Sequence, residues 1–335
     1  MQEILTLQAI FAAVIVLLEV PSGYLADVLG RKTTLVVGSL FYGIGNSLLV
    51  VADSFWGLAA FEICLAVGHS LVSGADLAMI YDSEVALGKR AAPVNRSGKV
   101  IGKLMAARSY AEGLSSLLCS LVLIWGLSYA AWAQAVVGWV PIFIALALVE
   151  PPGKRLAKGN YGGNMLEILR HVLADDALVR QIFLALSLWS LTTFYSVWLV
   201  QKLWSLVHFG YLWGGLAVVA GVSGQWAHAL EDRFGPIALL VFIALAPALG
   251  YVGLAELGLI GGIVVTSLFF AARGIGLAVL RDAFNKRVPG EFRATANSLA
   301  SFGFRGAYVV TGPLLGYVLD LYGMHTTLWL LVGVA

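Results

Sequence analysis

The sequence predicts an all-α membrane protein, a two-half bundle of about ten full transmembrane helices and a partial one. Three observations predict it. First, 60% of the 335 residues are hydrophobic and only 12% charged, where a water-soluble domain carries about 25% charged residues to cover its surface; the mean hydropathy is +0.88. Second, the apolar residues form continuous runs of bilayer-crossing length, not the alternating strands of about ten residues that build a membrane barrel. Third, Lys and Arg fall almost entirely in alternate connecting segments, as the positive-inside rule requires of a multi-pass helical protein.

In chain order, the first run is 4–20. It has the apolar core of a signal peptide, but Met1-Gln2-Glu3 supplies no basic start and Glu19-Val20-Pro21 no small-residue cleavage site, so it reads as a retained span. Further runs cover 34–52, 56–80, 99–125, 131–149, 178–200, 209–230, 236–254, 256–280 and 295–319, with a partial run at 325–335. The basic segments hold Arg31 and Lys32, then Lys89 to Lys103, Lys154 to Arg180, Arg233, and Arg281 to Arg293; the segments between them near 53, 127, 204, 255 and 322 hold only Lys202. The basic side is therefore cytoplasmic and Met1 lies outside. Segment 150–177 opens with Pro151-Pro152-Gly153, is basic, and turns mildly amphipathic through Leu166, Leu169, Val172 and Leu173. It reads as a cytoplasmic linker with an interfacial helix, dividing an N-terminal half (1–149) from a C-terminal half (178–335). The sequon Asn95-Arg96-Ser97 falls on the cytoplasmic side and is a chance match. Cys64 and Cys119 lie singly in apolar runs, with no metal or disulfide spacing. Net charge is +2, which gives no ground for a nucleic-acid partner.

The first cytoplasmic loop reads Gly23-Tyr24-Leu25-Ala26-Asp27-Val28-Leu29-Gly30-Arg31-Lys32-Thr33-Thr34-Leu35. Gly23 and Gly30 permit close helix approach and a sharp turn. Asp27 suits a helix N-terminus, and Arg31 can clamp a carboxylate at the membrane edge. The loop resembles the signature of the major facilitator superfamily: Gly23, Leu25, Asp27, Gly30, Arg31, Lys32 and Leu35 stand at the signature's positions, while Val28 replaces a common basic residue. Glu19-Val20-Pro21-Ser22-Gly23, Ser73-Gly74-Ala75-Asp76, Tyr81-Asp82-Ser83 and Arg293-Ala294-Thr295 are similar to a bacterial branch of that superfamily. A weaker second copy at Asp232-Arg233-Phe234-Gly235 aligns Asp232 with Asp27 and Gly235 with Gly30, the internal repeat expected of two related halves. The resemblance implies a two-half bundle of the major facilitator type. In the family's register, 1–149 holds helices 2–6 and 178–335 holds helices 7–11 with part of the twelfth; the first helix is expected to be missing. It also implies a cytoplasmic gate from Gly23, Asp27, Gly30, Arg31, Lys32 and Asp82, in which Arg31 pairs with Asp82 and Asp27 faces the helix starting near Thr295.

Ionisable residues within spans are costly, and so mark pathways or structural pairs. Glu62, His69 and Asp76 recur every seven residues and share one helix face with Ser73. The resemblance puts that helix on the central cavity, where the stripe reads as a proton relay; the competing reading is hydration near the two interfaces. Arg108 and Glu112 are four residues apart and able to pair, and Arg108 lies at a depth similar to Asp76, an expected structural ion pair. Arg273 has no carboxylate within a turn or two on its own helix; it reads either as a cavity residue or as snorkelling to the cytoplasmic edge. Trp189, Thr192, Thr193, Tyr195 and Trp198 suit either an amphipathic or aromatic solute or a membrane-interface position. Glycine pairs such as Gly210/Gly214 and Gly312/Gly316 suit close packing within the bundle.

No HExxH, GxSxG or P-loop occurs, so no enzyme, cofactor or metal site is expected. The expected function is secondary transport of a small solute by alternating access, with proton-coupled efflux (antiport) as its form. The expected surroundings are membrane lipid in the inner (plasma) membrane, and the expected state is a monomer. The alternative is a truncated, non-transporting membrane protein with a structural or binding role.

Overall fold

The computed structural model describes residues 1–86, 95–150, 177–203, 206–257, 259–287 and 293–334. Within its helices the side chains of 20, 23, 24, 27, 28, 74, 77, 78, 80–82, 84–86, 95–106, 178, 203, 206–209, 228, 259, 260, 281–287 and 293–301 lie outside that description. Twelve helices occur among the described residues: α1 (Gln2–Leu29), α2 (Arg31–Val51), α3 (Phe55–Ala86), α4 (Asn95–Leu123), α5 (Leu127–Gly138), α6 (Val140–Ala147), α7 (Ala177–Leu203), α8 (Leu206–Gln225), α9 (Ala227–Phe234), α10 (Pro236–Glu256), α11 (Leu259–Arg287) and α12 (Arg293–Val332). The last bends at Gly323, whose φ of 79° is not helical. Among the described residues seven stretches are long and apolar enough to cross a bilayer: Gln2–Glu19, Arg31–Val51, Phe55–Ser73, Leu127–Ala147, Val179–Lys202, Pro236–Glu256 and Gly261–Leu280. α4, α8 and α12 also reach the length of a span.

The helices overrun the apolar runs. α1 continues through Pro21 to Leu29, and α3 extends to Ala86. An apolar run measures the thickness of hydrocarbon crossed, whereas the helix persists into the interface wherever residues still favour it. The run at 131–149 is instead broken at Trp139, because Pro141 sits in the first turn of α6 and cannot donate to a continuing ladder.

Contacts divide the chain into two compact units: Met1–Pro93 with Gly126–Leu166 and Arg305–Gly316, and Val94–Trp125 with Glu167–Phe304 and Tyr317–Ala335. This division does not follow the boundary read from the linker, since α4 groups with the second unit. In the first unit α3 packs on both α1 and α2, and α5 and α6 pack on α2. Glycine sets the closeness: a Cβ on Gly38 would stand 3.1 Å from the Gly68 carbonyl, and one on Gly68 2.9 Å from the Gly38 carbonyl. Polar side chains tie α5 to α2, Gln134 Nε2 donating to Asn46 Oδ1 at 3.0 Å and Trp139 Nε1 to Ser47 Oγ at 3.0 Å. Ala26, Leu35, Ala75, Met79 and Ala145 form the core between these helices.

In the second unit α8 packs against α4 on one side and α11 on the other, and α11 also meets α10 and α7. A Cβ on Gly113 would stand 3.2 Å from the Gly214 carbonyl, and one on Gly210 would overlap Ser120 Oγ. The Gly210/Gly214 pair therefore serves packing inside the bundle. The core gathers Val179, Phe183, Leu186 and Trp189 of α7 with Leu239 and Ile243 of α10 and Ile275, Val279 and Leu280 of α11.

Gly30 and Gly235, the two positions aligned by the internal repeat, share one backbone geometry. Their φ/ψ values are 100°/152° and 83°/157°, and each immediately precedes a long helix. Only glycine adopts such a conformation without steric strain.

Candidate functional site

The signature segment is mostly helix. Gly23 and Asp27 lie on the last turns of α1, Gly30 is the single residue between helices, and Arg31 and Lys32 open α2. The first amides of a helix have no partner inside it. Here they donate to the Glu150 carboxylate, Arg31 N to Oε1 at 2.7 Å and Lys32 N to Oε2 at 2.6 Å. These are short, charge-assisted bonds at the positive end of the α2 dipole. A Cβ at Gly30 would stand 2.9 Å from Glu150 Oε1, so the glycine is required for space as well as for φ. The side chains of Asp27, Asp82 and Thr295 lie outside the described residues, and with them the expected contacts of Asp27 and of Arg31 with Asp82.

On α3 the stripe of Glu62, His69 and Asp76 meets its own unit. Glu62 is 9% exposed, and its Oε1 accepts from Gln8 Nε2 of α1 at 2.6 Å. His69 Nδ1 and Tyr42 Oη of α2 are hydrogen-bonded at 3.3 Å, and the Phe11 ring of α1 lies 6.0 Å from the imidazole. Asp76 is half-buried in the first unit. Ser73 is exposed and turned onto its own helix, donating to the Ser70 carbonyl at 3.2 Å.

The remaining three candidates come together in the second unit. Arg108 and Glu112 lie on α4, Arg273 on α11. The Glu112 carboxylate is not paired with Arg108 in the expected way; Trp213 Nε1 of α8 donates to its Oε1 at 3.1 Å. The Trp213 ring meets Phe270 of α11 edge-on at 5.2 Å, and the Arg273 guanidinium lies over the same Phe270 ring at 5.8 Å from its centre. Asp76 and Arg108 belong to different units. On α7, Trp189, Thr192, Thr193 and Tyr195 are all buried within the unit, with Trp189 against Gly276 and the Tyr251 hydroxyl donating to the Thr192 carbonyl. These side chains form core, not a membrane-interface belt. The indole N–H groups of Trp189 and Trp198 are buried with no hydrogen-bond partner among the described residues.

Glu150, Gln8 and Trp213 were missed in the sequence. Two of them carried a signal: Gln8 is an amide inside an apolar run, where it needs a partner, and Glu150 is a lone carboxylate ending a span on the side where Arg31 begins another. Trp213 carried none, because a tryptophan in a span reads as packing.

The sequence profile of the Major Facilitator Superfamily matches residues 2–285. Among solved structures the chain is similar to a D-xylose-proton symporter, with a TM-score of 0.72 and 14% identity over 99% of this chain and 84% of that one. It is similar to the nucleoside transporter NupG, with a TM-score of 0.70 and 13% identity over 99% and 88%. A third likeness is to the xylose transporter XylE from E. coli in an inward open conformation, with a TM-score of 0.67 and 13% identity over 99% and 85%. No curated protein matches the chain. At these identities the structural likeness establishes the fold, and the profile match establishes the family: the chain belongs to the Major Facilitator Superfamily.

Proposed function

We propose that the chain is a secondary active transporter that moves a small solute across the plasma membrane by alternating access, its two helical halves (1–149 and 178–335, joined by 150–177) rocking about a central site. The observation that carries this reading is the family match over 2–285, on a fold shared with a D-xylose-proton symporter and a nucleoside transporter. Protons are the coupling ion in this proposal and export the direction. Glu62 and His69 supply the titratable groups, each hydrogen-bonded to a neighbouring helix of the first unit. Arg31 and Asp82, with Asp27, hold the cytoplasmic side closed, and Glu150 fixes the backbone from which Arg31 projects.

The test is transport in proteoliposomes under an imposed pH gradient, with D-xylose, uridine, benzoate and an amphipathic cation as solutes. Saturable movement of at least one solute, driven by the gradient, is expected. Glu62→Gln and His69→Ala should each weaken the response to the gradient while leaving the protein folded. No movement of any solute by the folded chain would overturn the transport reading for these classes. Unchanged pH dependence in both variants would leave transport standing and remove α3 as the coupling element.

A further inference from the structure

The faces of α4 differ in a way that the packing does not explain. At 100° per residue, Arg108, Glu112, Ser115 and Cys119 fall within an arc of about 60°, and all four are exposed. Exposed leucines, among them Leu114, Leu118 and Leu121, occupy a separate arc centred about 120° away. The glycine seam against α8 lies between the two. The leucine arc suits lipid. The other cannot face lipid without placing a guanidinium and a carboxylate in hydrocarbon, at a cost of several kcal/mol, so it faces water. Among the described residues of this cluster, Arg108 and Arg273 are two cations and Glu112 is one carboxylate, already engaged by Trp213. Among the described residues neither guanidinium has a hydrogen-bond or ion-pair partner, Arg273 having only the Phe270 ring. The Phe270 and Trp213 rings link Arg273 to the Glu112 carboxylate.

We propose that this cluster is a binding site for an organic monocarboxylate, with Arg273 as the group that receives the carboxylate and Arg108 as the second cation, opening on the polar face of α4. A guanidinium offers a planar fork of donors matched to a carboxylate. One such ligand brings two cations and one anion to neutrality. Phe270 and Trp213, 2% and 9% exposed, hold Arg273 and Glu112 apart and in place. The proposal names the solute class of the transporter and rests on that reading for its biological meaning, but binding is measured without transport.

The experiment uses the full chain in lipid nanodiscs with benzoate and lactate as probes and benzamide and lactamide as their neutral counterparts, read by calorimetry and thermal unfolding. The carboxylates should bind and raise the melting temperature, and the amides should not. Arg273→Gln should weaken carboxylate binding by about tenfold or more, as expected for loss of a charge-assisted pair. Arg273→Lys should retain part of it, keeping the charge without the fork. Cys119, on the same face, should react with a membrane-impermeant sulfonate thiol reagent in a Cys64→Ser background, because only a thiol that meets water forms the reactive thiolate. The proposal is overturned if no carboxylate binds, if amides bind equally, if Arg273→Gln keeps wild-type affinity, or if Cys119 is inert. Should Arg273→Gln fail to fold by circular dichroism, the carboxylate–amide comparison on the wild type decides alone. A chain that moves D-xylose and ignores carboxylates loses this proposal and keeps the transport reading; one that binds benzoate and moves nothing does the reverse.

Discussion

The Glu150 carboxylate stands where two backbone amides and the positive end of a helix dipole converge, and its worth follows from those three interactions. Replacing it with Gln keeps one acceptor oxygen and removes the charge. Glu150→Gln should lower stability by about 1–2 kcal/mol, the scale of a charge-assisted bond at a helix start, read as a fall in melting temperature in detergent. Gly30→Ala should cost at least as much, because it adds a forbidden φ to a 2.9 Å clash with that carboxylate. A Glu150→Gln melting temperature equal to wild type would show that water caps α2 as well as the side chain does. Gly30 was legible in the sequence, since a glycine at a tight junction announces its backbone. Glu150 was hard to read because the contact joins positions 119 residues apart, and no local pattern records such a pairing. The same holds for Gln8 with Glu62 and Trp213 with Glu112: the polar atom in each span was visible, and its partner was not.

At the scale of elements, the spans were readable because hydrocarbon thickness imposes a length that composition reveals. Their ends were not, since helix and bilayer stop for different reasons. The grouping of α4 with α8 turns on glycines that any span contains in number; Gly113, Gly210 and Gly214 acquire meaning only when placed carbonyl against Cα across the seam. Without a hydrophobic drive between helices in lipid, that close approach is what holds the pair. Gly214→Leu should therefore force α4 and α8 apart and destabilise the chain by about 3 kcal/mol or more. Gly215→Leu, one position along and with nothing within 4 Å of its would-be Cβ, should be tolerated. Thermal unfolding of the two variants in nanodiscs separates the cases, and equal melting temperatures would remove the seam as a stabilising feature.

At the scale of the molecule, the family was legible in one loop and the fold in the apolar runs, and the profile match and the structural likenesses agree with both. The candidate site was legible in part: Arg108 and Glu112 were read as able to pair and Arg273 stood alone, while the link from Glu112 to Arg273 through Trp213 and Phe270 depends on helix order in space. The distribution of Lys and Arg predicts an orientation with the basic segments in the cytoplasm. A cysteine placed at Gly88, with Cys64 and Cys119 replaced, should resist an impermeant maleimide in intact cells and react after permeabilisation. Ready labelling from outside would invert the topology, placing 23–32, 81–98 and 150–177 on the outer face.

The bond between Glu150 and the start of α2 also has a place in time. At about 5–20 residues per second, the ribosome needs on the order of ten seconds to make the residues that separate Arg31 from Glu150. Throughout that interval the α1–α2 turn has water alone as its cap. The turn locks only when the chain has been made through α6, well after the loop itself.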